Sequence, residues 1–280
     1  MPADLGVLIE DLAAETAELR QILAQLSDTD WQSPTPAPGW TICDQVSHLA
    51  HFDQVAITSA TDPVRFAAEV ARDGAADPDA IARRYQGMTR VDLEDWFGRA
   101  RGELLLAFAG LHPATRVPWF GPPMSVASAL TARLMETWAH GQDIADTVGV
   151  HRVPTRRLRH VAHIGVGARA FSYAANRLPM PAEPVRVELI APSGDLWTWG
   201  AADAGDRVTG PAVDFCLLVT QRRHRDDVAV QAVGRAAAEW LTIAQAFAGP
   251  PGPGRKPGQF PAARASSPPT RTTSVYRPAI

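Results

Sequence analysis

Cysteine is scarce in this 280-residue chain: Cys43 and Cys216 are far apart, each among apolar neighbours, and no C-x-x-C pair exists. That excludes a disulfide scaffold, a cysteine-ligated zinc module and a cysteine-bound iron–sulfur cluster. Both cysteines are expected to be small core residues. No apolar run approaches the ~20 residues needed to span a bilayer. The N-terminus lacks the basic-then-apolar layout of a signal peptide, so the expected location is cytoplasmic and no membrane partner is expected. Positive charge is not in excess either: the net charge is −3, which provides no basic field for nucleic acid. The metalloprotease signature H-E-x-x-H is also missing.

What remains is a globular composition, 46% hydrophobic and 20% charged, sufficient for a large core. Leu5, Leu8, Leu12, Leu19, Ile22, Leu23 and Leu26 recur at helical spacing over residues 3–26. After a Pro-rich loop over 27–39, Thr41 and Asp44 form a capping-box signature opening a helix over about 42–60. Residues 63–88 predict one or two short helices broken near 73–78. Thr89 and Asp92 repeat the signature before a helix over about 90–110. An aromatic loop, VPWFGPP at 117–123, leads to a fourth main helix over about 125–148. Four such helices predict an up-down bundle over residues 1–150, a fold that builds sites from inward-projecting Glu and His.

Beyond Pro154 the pattern changes. A helix over 155–177 precedes strands at 185–191 and 196–200, which read as a hairpin, and a third short strand at 207–209. Helices at about 211–223 and 236–248 complete a small α+β domain, 151–248. The Pro/Gly/Ser-rich residues 249–280 are expected to be disordered. The fold class is therefore mainly α, a helix bundle followed by α+β.

TARLMETWAHGQDIAD, residues 131–146, carries Glu136 and His140 four apart. On a helix these sit on one face, about 6 Å apart at Cβ, close enough to share a metal ion or to form a surface pair. Both lie on the border of an apolar stripe. On the 42–60 helix His48 holds the matching border position, between Phe52 and Val55. A His₂Glu set leaves a tetrahedral metal one open position, the catalytic arrangement. Asp143, one turn past His140, is either its hydrogen-bond partner or a surface charge. Asp53 points into its helix's apolar face and needs a metal, an arginine or a histidine there. His51 points away from the stripe, toward solvent.

PGWTICDQVSHLAHFD together with METWAHGQDIAD resembles the DinB-like metalloprotein superfamily, closest to mycothiol-dependent maleylpyruvate isomerases and their actinobacterial relatives. A single lysine, Lys256, with abundant Ala, Gly and Pro agrees with high-GC actinobacterial coding. The resemblance implies a DinB-like four-helix bundle, a sterol-carrier-like second module, and metal ligands at His48, Glu136 and His140. It implies a divalent cation, zinc being expected, and mycothiol as a thiol cosubstrate, in a transferase or isomerase acting on a small electrophile. The alternative is a non-catalytic protein binding a metal or small ligand. VTGPAVDFCLLVTQRR places the family's active-site arginine at Arg222, either a carboxylate clamp or a solvated member of a basic cluster with Arg223, His224 and Arg225. Asp53 is the other candidate catalytic group. The RRHR run and extended tail depart from the isomerases. Residues 185–248 also resemble, more loosely, a region of wyosine-forming tRNA enzymes. Two cysteines cannot ligate the cluster their radical chemistry needs, so that activity is excluded.

Overall fold

A computed structural model describes residues 4–74, 77–252 and 254–260. Helix α1 (Leu5–Leu23) starts at Asp4, whose carboxylate caps the backbone N–H groups of Gly6 and Val7. A one-turn helix, α2 (Asp28–Trp31), buries Trp31 in the crossing to α3 (Ile42–Thr61). The Thr41/Asp44 capping box at the head of α3 is present in full. Helices α4 (Pro63–Asp73) and α5 (Pro78–Arg84) divide the 63–88 segment as its break predicted, each opening on proline. Helix α6 (Arg90–Ala109) is capped by Thr89. The aromatic loop is clasped by a two-residue ladder, β1 (Arg116–Val117) with β2 (Met124–Ser125). Helix α7 (Val126–Val148) then runs until Gly149 adopts a left-handed φ of 70°.

Helices α1, α3, α6 and α7 pack as the bundle, and α3 lies against both α6 and α7. Leu19, Leu23, Trp31, Val46, Leu49 and Phe97 fill one end of it. The other end does not stop at residue 150. Leu8, Leu12, Leu130 and Leu134 belong to the same apolar cluster as Leu158, Val161, Phe215 and Trp240 of the C-terminal half.

That half begins with α8 (Leu158–Gly167) and α9 (Arg169–Ala175), two helices where the sequence pattern predicted one. Strands β3 (Val185–Ile190), β4 (Leu196–Trp199) and β5 (Asp206–Pro211) follow, then α10 (Ala212–Val219), a 3₁₀ turn at Arg225–Asp227, strand β6 (Gln231–Val233) and α11 (Arg235–Ile243). The sheet order is β4-β3-β5-β6. The β3–β4 hairpin is as expected, but β5 pairs parallel to β3, in register Val187 with Val208. Val187, Leu189 and Val208 are buried, facing the helices. Gly165 lets α8 pack closely on α10: a Cβ there would lie 2.7 Å from Val219.

Charge also joins the halves. Asp11, Glu15 and Glu18 of α1 receive Arg152, Arg156, Arg157 and His160, with Arg157 Nε 2.6 Å from Glu15 Oε2 and Arg156 Nη2 2.8 Å from Asp11 Oδ1. Both cysteines are buried and outside any disulfide, and burial pushes the Cys216 thiol far up.

The expected disorder of 249–280 needs correction over its first part. Arg255 is 8% exposed and ion-paired to Asp143, Gly258 N–H donates to Asp227 at 2.8 Å, and the Phe260 ring lies 4.4 Å from the Arg223 guanidinium. Composition counts apolar residues and misses a strap held by single ionic and cation–π anchors. Residues 261–280 lie outside the described residues. No described helix is long and apolar enough to cross a membrane.

Candidate metal centre

Helix α3 contributes His48 and helix α7 contributes Glu136 and His140, and the three ligand-type atoms all lie within 4.8 Å of one another. His48 Nε2 is 3.4 Å and His140 Nε2 3.1 Å from the same carboxylate oxygen, Glu136 Oε2. Ligand atoms sharing a tetrahedral ion at about 2.1 Å stand about 3.4 Å apart, so the spacing suits one cation. Both histidines are buried, and Glu136 keeps 18% of its side chain exposed.

A hydrogen-bond chain fixes which atom of His140 faces the centre. Thr35 Oγ1 donates to the carbonyl of Trp40 at 2.9 Å and accepts from Gln45 Nε2 at 2.9 Å. Gln45 Oε1 therefore accepts the proton of His140 Nδ1. With Nδ1 carrying the proton, Nε2 presents a lone pair to a carboxylate oxygen 3.1 Å away. Two lone pairs at that distance require a positive centre between them, a proton or a metal cation. The donor set thus fits the implied ion.

Electrostatics push the same way. Burial, then the neighbouring His140, lowers the His48 pKa to about 4, which keeps its imidazole in the ligating neutral form. Burial alone opposes ionisation of Glu136, but contact with His140 and His48 and the charge of Arg133 outweigh it and hold the carboxyl well below its ordinary range.

The walls are aromatic. Trp40 stacks on His140 with ring centroids 5.8 Å apart and 12° between planes, and Phe52 lies 4.6 Å from His48. Phe120 leans on Phe52, and Trp119 stacks on Phe66 at 11°. Ser59 of α3 ties the loop down by donating to the Pro118 carbonyl at 2.5 Å. His48 Nδ1 is buried with no hydrogen-bond partner among the described residues, so packing and the Nε2 contact with Glu136 orient that ring.

Several expectations need correction. Gln45, not Asp143, receives the second nitrogen of His140, because Asp143 is taken by Arg222 at 2.8 Å and by Arg255. Gln45 belongs to a different helix, and single-helix spacing cannot reveal it. Arg222 is not in the cluster: its three nitrogens go to the carbonyls of Ala139 and Thr220 and to Asp143. Ala139 and Asp143 each stand three residues on from Glu136 and His140, about 60° around α7, and the Arg222 guanidinium is held on that flank. Asp53 is inward, fully buried, and its required cation is Arg101 of α6, at 2.7 and 3.2 Å. It too lies outside the cluster. His51 does not face open solvent, since α5 covers it and its Nδ1 meets the Tyr85 hydroxyl at 2.9 Å.

The profile of the mycothiol maleylpyruvate isomerase N-terminal domain matches residues 12–145, which span all three cluster residues. The chain belongs to this DinB-like, maleylpyruvate isomerase-like family. Two uncharacterised proteins from two strains of Mycobacterium tuberculosis are each 50% identical over 257 residues, 90% of this chain and 100% of theirs. The crystal structures of the mycothiol-dependent maleylpyruvate isomerase and of a histidine-to-alanine variant of it superpose with a TM-score of 0.56, covering 82% of this chain and 93% of theirs. At 14% identity that likeness establishes the shared fold. A profile named for wyosine base formation matches residues 181–233, the sheet and α10.

Proposed function

We propose that this protein is a metal-dependent enzyme that uses a small-molecule thiol, mycothiol by family, to transfer to or isomerise a small electrophile. The observation that carries the reading is the convergence of His48, Glu136 and His140 from two helices, with the His140 tautomer set by Gln45. In this reading those three residues hold a divalent cation, zinc by its preference for two imidazoles and a carboxylate with one position open. Such a cation supplies Lewis acidity that deprotonates a coordinating thiol at neutral pH. The chain's own residues do the rest. Gln45 orients His140, while Trp40, Phe52 and the 117–123 loop limit water and set the size of what enters. Asp53 and Arg222 act as framework: Asp53 holds Arg101 across the bundle, and Arg222 holds Asp143 on α7.

The test is elemental analysis of the purified full chain, beside His48→Ala and His140→Ala, followed by mass spectrometry for mycothiol adducts with small electrophiles. One metal per chain, lost in both variants, and adduct formation or isomerisation only in the loaded protein is the expected result. Stoichiometric metal unaffected by either substitution would overturn the site. Metal retained without any thiol chemistry across the panel would leave a binding protein in place of an enzyme.

A further inference from the structure

Arg133 sits one helical turn before Glu136 on α7, on the same face. It is 5% exposed, yet its guanidinium donates no hydrogen bond among the described residues, and Nη1 is fully buried without a partner. Its nearest carboxylate oxygen, Asp53 Oδ1, is 4.0 Å away and already accepts from Arg101 at 3.2 Å. The guanidinium lies 5.8 Å from the ring of Phe52, which also packs on His48. A buried guanidinium nitrogen with no acceptor in hydrogen-bond reach is costly, because its desolvation is not offset. Arg101, equally buried, illustrates the contrast: it donates to Asp53, Thr16 and Thr137.

We propose that Arg133 is the anion-recognition residue of this site, receiving a carboxylate carried by the small molecule that enters beside His48, Glu136 and His140. The proposal rests on the reading of that cluster as a ligand-binding centre and adds the chemical class of its ligand. A carboxylate matches the planar fork of a guanidinium in two parallel hydrogen bonds. One guanidinium between the carboxylates of Glu136 and Asp53 offers a single positive charge, which suits a monoanion and disfavours a phosphate dianion. Glu136, one turn along, is part-exposed, so solutes reach this face of the helix. Phe52 and the aromatic loop behind it restrict the rest of the ligand to a small apolar or unsaturated body.

The experiment is a titration of the full-length protein, with and without zinc, followed by the fluorescence of the site tryptophans and by thermal shift. Crotonate is the probe, crotonamide its uncharged control, and sulfate at matched ionic strength the control for charge alone. Crotonate is expected to bind and raise Tm, and crotonamide and sulfate are not. Arg133→Met should weaken crotonate binding at least tenfold with zinc content unchanged, Arg133→Lys should retain part of it, and neither should lower Tm in the absence of anion. No crotonate response in the wild-type chain in either metal state, an equal response to sulfate, or undiminished binding by Arg133→Met would each overturn the proposal. So would a lower Tm of Arg133→Met without anion, since that marks a guanidinium already paired inside the fold. Zinc failing to bind while crotonate still depends on Arg133 would strike the metal reading alone.

Discussion

Gln45 of α3 accepts the Nδ1 proton of His140 of α7, and through that one contact a helix that supplies one ligand orients a ligand on its neighbour. Groups that hold a ligating histidine by its other nitrogen typically contribute 10–100-fold in metal affinity. Gln45→Leu is therefore expected to weaken metal binding by about that factor while leaving helix content intact. Chelator competition against the wild-type chain measures it. An unchanged affinity would mean that packing against Trp40 alone fixes the ring.

Acid should act on this protein above the usual carboxylate range. His48 and His51 both have pKa values lowered to about 4, by burial first, then by the charge of His140 on His48 and of Arg84 on His51. The unfolded chain takes up their protons near pH 6.5 while the folded chain resists until about pH 4. Their contribution is thus intact above pH 6.5 and is lost as pH falls from there to about 4. Tm of the metal-free protein should decline across that window, and His51→Phe should flatten the decline by up to one proton's worth of slope, about 1.4 kcal/mol per pH unit. An identical slope in the variant would show that His51 titrates normally.

The buried pair of Asp53 and Arg101 should behave as a unit. Removing one partner strands a charge at the bundle centre, so Asp53→Leu or Arg101→Met is expected to cost about 3–5 kcal/mol. The double variant should recover much of that loss, because it leaves neither charge behind. Urea denaturation of the four proteins closes the cycle, and strict additivity would contradict the pairing.

At Asp143, another buried acid, the order of effects is the readout. Asp143 holds both Arg222 and Arg255, so Asp143→Ala strands two guanidinium groups and should destabilise more than Arg255→Ala, which leaves the Arg222 contact in place. Arg255→Ala should instead release the strap, seen as faster hydrogen exchange and proteolysis within 250–260. Equal protection in both proteins would mean that Phe260 and Gly258 suffice to hold it.

Much of the bundle was legible because its signals are local. The Thr41/Asp44 box and the Thr89 cap each act within one helical turn, and the leucine spacing of α1 needs no partner to be read. Glu136 and His140 were paired by helical geometry, and His48 joined them through its place at a stripe border and through family likeness. The parallel pairing of β5 with β3 and the addition of β6 were not legible, since strand order depends on contacts between segments far apart in the chain.

By itself, then, the sequence determined where the main helices begin and end, which residues could act as ligands, and that Asp53 required a cation. Only the tertiary structure decided which cation it was, that Arg222 is committed to Asp143, that the strap at 254–260 docks, and that Arg133 is left without an acceptor. The physical reason is common to all four. A charge buried among helices is settled by whichever partner arrives from another element, and no single element's periodicity carries that information.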